Sequence, residues 1–205
     1  MKKIILVAFV FSSISFISCK SEKKETIKQE ISEKKATFSL QDAANNIEFT
    51  AYKTTAKVGV KGNFQKVNIL TGGEGNTIKE ALHNTTFSIP VSSLFTKDSS
   101  RDYKIKKFFF GIMEETLLLS GKLTLENDST GIATLTMNKK SRTLPFSYTI
   151  KGKEFAMTAT MNIDNWSAQK ALASLNTACI DLHKGADGVS KTWSEVALNI
   201  SSTFK

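Results

Sequence analysis

Reactive side chains are scarce in this chain, whose 205 residues hold two histidines and two cysteines. His83 and His183 stand far apart in no zinc-ligand spacing, and Cys19 and Cys179 form no close pair. No Gly-x-Ser-x-Gly elbow occurs. The glycine-rich stretch 70–76, LTGGEGN, lacks the Gly-Lys-Ser/Thr ending of a phosphate loop and the spacing of a dinucleotide fingerprint, so it reads as a strand connection. Glu114 and Glu115 are neighbours that a strand would point to opposite sides, a poor geometry for a catalytic pair. These absences argue against metal, nucleophilic and nucleotide chemistry; the expectation is a non-enzyme without metal or cofactor.

Long hydrophobic runs are missing as well. Residues 4–11 form an unbroken apolar run, but a bilayer span needs about twenty residues. Behind Lys2 and Lys3 that run reads as a secretory signal. It ends in Phe16-Ile17-Ser18-Cys19, which resembles the lipobox of bacterial lipoproteins. The resemblance implies that residues 1–18 are a lipoprotein signal peptide and that Cys19 is acylated. Lys20, rather than Asp, follows the cysteine; by the bacterial sorting rule this implies the outer membrane, on its periplasmic or surface face. The alternative is an ordinary export signal with an incidental cysteine. Several acyl chains would tether the protein firmly, each buried methylene adding about 0.8 kcal/mol. Cys179 would then be the free thiol, with no intramolecular disulfide to support the fold.

The formal charge of +9 raises the question of nucleic acid. Export argues against it, and the lysines are scattered through strands and turns, so anionic lipid head groups suit the charge better than nucleic acid, the alternative being a cationic surface that only keeps the protein soluble. Residues 19–36 mix Lys and Glu with two isolated isoleucines and cannot repay the entropy of ordering; they read as a charged flexible tether. The folded domain is expected over 37–205.

From residue 46 onward apolar residues alternate with a period of two, the mark of half-buried strands. Ile47, Phe49 and Ala51 share one face, as do Val58, Val60, Gly62 and Phe64. Residues 78–82 suit a helical turn. Residues 86–95 read as one strand containing Pro90, which belongs at an edge or bulge, followed by a polar loop over 96–102. Leu117, Leu119, Gly121, Leu123 and Leu125 share a face, then Ala133, Leu135 and Met137, then Leu144, Phe146, Tyr148 and Ile150, then Phe155, Met157, Ala159, Met161 and Ile163. This is an antiparallel meander. Ala168, Ala171, Leu172, Leu175, Cys179 and Leu182 recur at helical steps, predicting an amphipathic helix started by Asn165 or Ser167 and ended by Gly185, with His183 a cation in its last turn. Val196, Leu198 and Ile200 predict a closing strand.

Three places in this order resemble the YceI-like family of bacterial lipid- or polyisoprenoid-binding proteins. Val60-Lys61-Gly62-Asn63-Phe64 is similar to its Val-x-Gly-x-Phe strand. Ile89, Ser93-Leu94-Phe95-Thr96, Arg101-Asp102, Ile105 and Phe108-Phe109 look like its strand, Arg-Asp, Leu and Phe-Phe order. The third is the hairpin over 123–146 leading to Asn162-Ile163-Asp164-Asn165-Trp166. The family usually has a loop where this chain has the helical 168–184, which alters one barrel mouth. The resemblance implies an all-β, extended antiparallel lipocalin-like β-barrel of about eight strands, here with one amphipathic helix before the last strand. It also implies a long apolar ligand of polyisoprenoid or isoprenoid-quinone type.

A barrel of this size either fills its interior with side chains or holds one ligand. The expected lining is Phe49, Val60, Phe64, Ile89, Phe108, Leu119, Leu135, Met137, Phe146, Tyr148, Phe155, Met157 and Met161, with Arg101 as head-group candidate unless it pairs with Asp98 or Asp102. The alternative is an anchored interaction or scaffold protein with a filled barrel and no ligand.

Overall fold

The computed structural model describes residues 36–205; the expected signal peptide, Cys19 and nearly all of the tether lie outside the described residues. In chain order the strands and helices are β1 (Phe38–Ser39), β2 (Ala44–Lys53), β3 (Val58–Phe64), β4 (Asn68–Thr71), β5 (Glu74–Gly75), α1 (Ile78–Leu82), β6 (Thr86–Pro90), β7 (Leu94–Phe95), α2 (Ser99–Phe108), β8 (Leu118–Leu125), β9 (Thr130–Met137), β10 (Lys140–Lys151), β11 (Glu154–Asn162), α3 (Gln169–Ala178) and β12 (Thr192–Thr203). β1 pairs with β5, and the rest form one antiparallel sheet in the order β4-β6-β8-β9-β10-β11-β12-β2-β3-β7.

The two ends of that order are joined by the chain itself. β3 and β4 are halves of one bent stretch, and so are β6 and β7, which are separated by a 3-10 turn at Val91–Ser93. β7 pairs with β3 (Phe64 opposite Leu94) and β6 with β4 (Ile69 opposite Phe87), while the Gln65 amide donates to the Ser93 carbonyl at 3.0 Å between them. Counted as continuous stretches, the ten segments make a closed antiparallel barrel of eight strands, as expected. The strand expected over 86–95 is therefore two, each serving one side of the seam. Pro90 ends β6 opposite Leu118, beyond the last β4 pair at Ser88, where its missing N–H leaves no ladder bond unmade.

Alternation of burial shows which face turns inward. In β10, Leu144, Phe146 and Tyr148 are buried between exposed neighbours, and in β11 Phe155, Met157 and Met161 are. The β9–β10 turn is the two-residue Asn138-Lys139, both at positive φ (52° and 54°), the mirror-image turn that matches strand twist. The polar run 138–142 reads in the sequence as a turn throughout, but only its first two residues make the turn, and Lys140, Ser141 and Arg142 belong to β10. Asn138 also donates to the Trp166 carbonyl at 2.9 Å, and the fully buried Trp166 indole donates to Leu135 at 2.9 Å, pinning the 3-10 turn after β11 to the barrel wall.

The two mouths are covered differently. At one, α1 and the β1–β5 pair bring Leu40, Ile78, Ala81 and Leu82 into the core. At the other, α2, α3 and the 3-10 turn Phe110–Ile112 pack against one another above the ends of the strands. Here the structure corrects the sequence reading. The second half of the loop expected over 96–102 instead begins a helix, Ser99–Phe108, capped by Asp98, whose carboxylate accepts from the Arg101 amide at 3.0 Å. α3 ends at Ala178, well before Gly185; Ala168 occupies its N-cap with no side-chain bond, while Ser167 is left-handed. Glu114 and Glu115 lie in a turn, not a strand, and both reach Lys139 (3.5 and 3.0 Å).

Three inward phenylalanines face glycines on the neighbouring strand: Phe49 opposite Gly62, Phe87 opposite Gly121 and Phe146 opposite Gly131. Each ring lies where the glycine's Cβ would be. At Gly131 an added Cβ would also stand 2.7 Å from the Thr124 carbonyl oxygen, which belongs to the ladder and cannot step aside. Gly131→Ala is expected to destabilise the fold by about 1–3 kcal/mol, the range for overpacking. Urea denaturation checks this: the midpoint falls and the slope is unchanged.

Candidate functional site: an apolar cavity under a cationic mouth

The barrel encloses a cavity of about 220 Å³. Its wall is the inward set of every long strand together with side chains that cover the mouths, Leu82 at one end and Ile105, Phe109, Phe110, Leu172 and Leu175 at the other. Of the expected lining, Phe49, Phe64, Ile89, Leu119, Leu135, Met137, Phe155, Met157 and Met161 face this space.

Four expected positions do not. Val60 lines a second, adjoining cavity. Phe108 ends α2 half-buried, edge-on to Tyr103 and beneath Lys107, because the helix turns Phe109 and Phe110 inward in its place. Phe146 and Tyr148 point inward but are consumed by packing: their rings lie against each other (centroids 6.1 Å), Tyr148 lies against Phe155 (5.7 Å), and the Tyr148 hydroxyl donates to the Asn127 carbonyl at 2.5 Å. That side of the barrel is filled. The alternation places a residue on the inner face but does not say whether a neighbour has already taken the space.

The cavity's few polar groups are satisfied within the chain. Asn45 donates to the Leu40 carbonyl (2.8 Å) and accepts from Ser202 (2.6 Å). Thr85 donates to Ala81 (2.7 Å) and accepts from the Gly73 amide (2.8 Å). Thr192 donates to Asn176 at 2.8 Å. Nothing on this wall awaits a polar partner, so only an apolar guest gains by entering. Sequence reasoning missed Asn45 and Ser202, whose alternation with the apolar residues of β2 and β12 was the available signal.

A second cavity of about 170 Å³ lies under α2 and α3. It shares Ala51, Ile105, Leu175 and Thr192 with the first, so the two adjoin. Its other walls are of different character: Lys53, Arg101, Lys104, Asp98, Cys179 and His183. Arg101 pairs with Asp98 at 3.5 Å and reaches the Thr96 carbonyl at 3.4 Å, while Asp102 turns away to Thr96. Lys53 donates to the Leu182 carbonyl at 3.0 Å. Burial pushes the Cys179 thiol up despite Lys104, Lys53 and Arg101 nearby, which keeps it protonated.

His183 lies beyond α3 and is not the helix-end cation expected. Burial first, then Lys53 and Lys104, hold its pKa below the ordinary 6.5. Thr192 gives its hydroxyl proton to Asn176, so it accepts from His183 Nδ1–H at 2.7 Å. Among the described residues no cluster of three or more His, Cys, Asp or Glu side chains could hold a metal, and no helix is long and apolar enough to cross a membrane.

No family model matches the sequence, and no curated protein matches it significantly. Solved structures do match. A polyisoprenoid binding domain from Saccharophagus degradans, implicated in plant cell wall breakdown, superposes with TM-score 0.59 at 11% identity, covering 83% of this chain and 98% of that one. BcnA of Burkholderia cenocepacia gives 0.52 at 12%, over 80% and 98%, and the YceI protein of Campylobacter jejuni gives 0.51 at 17%, over 72% and 86%. The fold is that of the YceI proteins. At these identities the likeness is one of architecture, and within the YceI fold the residues of the cavity are this chain's own.

The low pKa of His183 has a measurable consequence. Because the folded state holds its pKa below the unfolded 6.5, the unfolded chain binds more protons in between. The ring therefore contributes stability that is present above pH 6.5 and is lost as pH falls toward the folded-state pKa. His183→Gln is expected to flatten the fall of the urea midpoint between pH 7 and 5.5; an unchanged slope would contradict the assignment.

Proposed function

We propose that this protein binds the apolar chain of an isoprenoid-type lipid inside its barrel and carries or holds it without catalysis. The observation that supports this is a hollow whose wall is apolar and whose polar atoms are already paired. That one structural relative is a polyisoprenoid binding domain agrees with it. The finer reading is a polyprenyl or isoprenoid-quinone chain, held by a lipoprotein whose acylated Cys19 sits in the outer membrane. Arg101 lines the second cavity, a vestibule to the first, where a head group would rest.

Size limits the guest. A dry cavity of about 150 Å³ accommodates benzene, six carbons. On that scale the main cavity of about 220 Å³ holds about nine carbons, close to two isoprene units, and the vestibule of about 170 Å³ about seven more. Ten buried carbons at about 0.8 kcal/mol each give about 8 kcal/mol, against an association cost of about 4 or more, which leaves millimolar binding. Fifteen carbons reach the micromolar range. A much longer chain fits with its further units outside the described walls.

Affinity is thus expected to rise about a hundredfold or more from geraniol to farnesol and to level off beyond about twenty carbons, as calorimetry on delipidated protein would show. Ala51→Phe, which puts a ring where the two cavities meet, should lower farnesol uptake at least tenfold while the protein stays folded. Lipid extraction and mass spectrometry of the native protein should return one apolar chain at stoichiometric amount. An empty protein that takes up no prenol would end this reading.

A further inference from the structure

The mouth over α2 and α3 is also where the surface is oiliest. Among the described residues, the large apolar side chains left in solvent are concentrated there. Tyr103 stands on α2, Ile112 on the 3-10 turn, Leu117 and Leu118 at the entry to β8, and Leu182 and Val189 on the connection from α3 to β12. Leu117 is 84% exposed and the others about half exposed. By register these segments belong to one end: Leu118 faces Pro90, the Lys53 and Val58 ends of β2 and β3 pair, and Thr192 faces Lys53. Away from this rim, Phe95 sits on the outer wall and Leu70 toward the other mouth.

Cations are interleaved with these side chains. Lys97, Arg101, Lys104, Lys106 and Lys107 fall on or beside α2, against Asp98 and Asp102. Asp98 is engaged by the Arg101 amide and guanidinium and Asp102 by Thr96, while on the other rim segments Glu114 and Glu115 pair with Lys139, Asp181 pairs with Lys184 and Asp187 accepts from the Val189 amide. Lys107 and Lys191 lie over the aromatic rings of Tyr103 and Trp193. Apolar side chains among lysines suit a surface that is negative outside and apolar just beneath. A protein partner would explain the patch, but not why it lies at the end of the barrel where the second cavity adjoins the first.

We infer that this rim docks the barrel mouth-down on a bilayer containing anionic phospholipid, placing the cavity entrance against the source of its guest. This deepens the proposed function by giving the route of entry, yet vesicle binding needs no guest, so the two can fail separately. Each lysine held near an anionic surface contributes about fivefold in affinity. The inserted apolar side chains add a component that salt does not screen.

The test is co-sedimentation of the full chain, made unacylated by Cys19→Ser, with vesicles of phosphatidylcholine alone or with 30% (about one lipid in three) phosphatidylglycerol. The anionic vesicles are expected to bind at least tenfold better. The combined variant Ile112→Ser, Leu117→Ser, Leu182→Ser should lose at least tenfold, whereas Leu70→Ser should not. All sites are exposed, so circular dichroism should show the variants folded. Equal binding by the triple variant, which would leave the basic N-terminal stretch as the attachment, overturns the inference. So does absence of binding to either vesicle while farnesol uptake persists, which would assign the patch to a protein partner.

Discussion

Phe49, Phe87 and Phe146 each face a glycine across the sheet, and this pairing governs how much of the barrel's interior is empty. A phenylalanine opposite a bulky residue projects toward the axis, whereas opposite Gly62, Gly121 or Gly131 the ring folds down along the wall. In an eight-stranded barrel the radius leaves little to spare, so where the rings lie decides between a packed core and a site. The wall keeps its aromatic area, about 25 cal/mol stabilising each Å² taken from water, while the middle stays open. The fold and the cavity are thus consequences of the same contacts.

Closure depends on a second constraint, the bends that let one stretch serve both sides of the seam. The bend after Phe64 and the 3-10 turn Val91–Ser93 allow Leu94 to pair with Phe64 while Ile69 pairs with Phe87. The seam pairings leave only short edges, Val58–Gly62 of β3 and one side of β4, which limits the template for edge-to-edge association. The two mouths then diverge in character. One is sealed by small and apolar residues such as Ala81 and Leu82, and the other is roofed by helices bearing lysines.

Much of this was legible in the sequence because alternation reports the inner face directly. Gly62 and Gly121 already stood in line with Val60 and Leu119, and the eight-strand count follows once bends are allowed for. What alternation could not show was occupancy. Phe146 and Tyr148 obey the pattern, yet the packing of the two rings on each other and a hydroxyl bond to Asn127 remove them from the cavity. Phe108 failed for another reason: three phenylalanines in a row cross from helix to 3-10 turn, and only the geometry of that junction decides which two turn inward. α2 itself was missed because its helical stripe is weak and its residues are largely polar; the Asp98 cap was the signal available. His183 lost its place on the helix because α3 stops at Ala178, and in the loop beyond it burial acts on the ring instead of the helix dipole.

Function on this reading requires the space between these walls to be dry, apolar and accessible. Xenon is a neutral probe of such space, since it enters apolar cavities and gains nothing from polar ones. A crystal of the protein under xenon pressure is predicted to show a xenon site among Ile47, Leu94, Leu119 and Met157, residues of one cavity wall. Absence of xenon there, with Phe49 or Met157 swung across the barrel axis, would contradict the account.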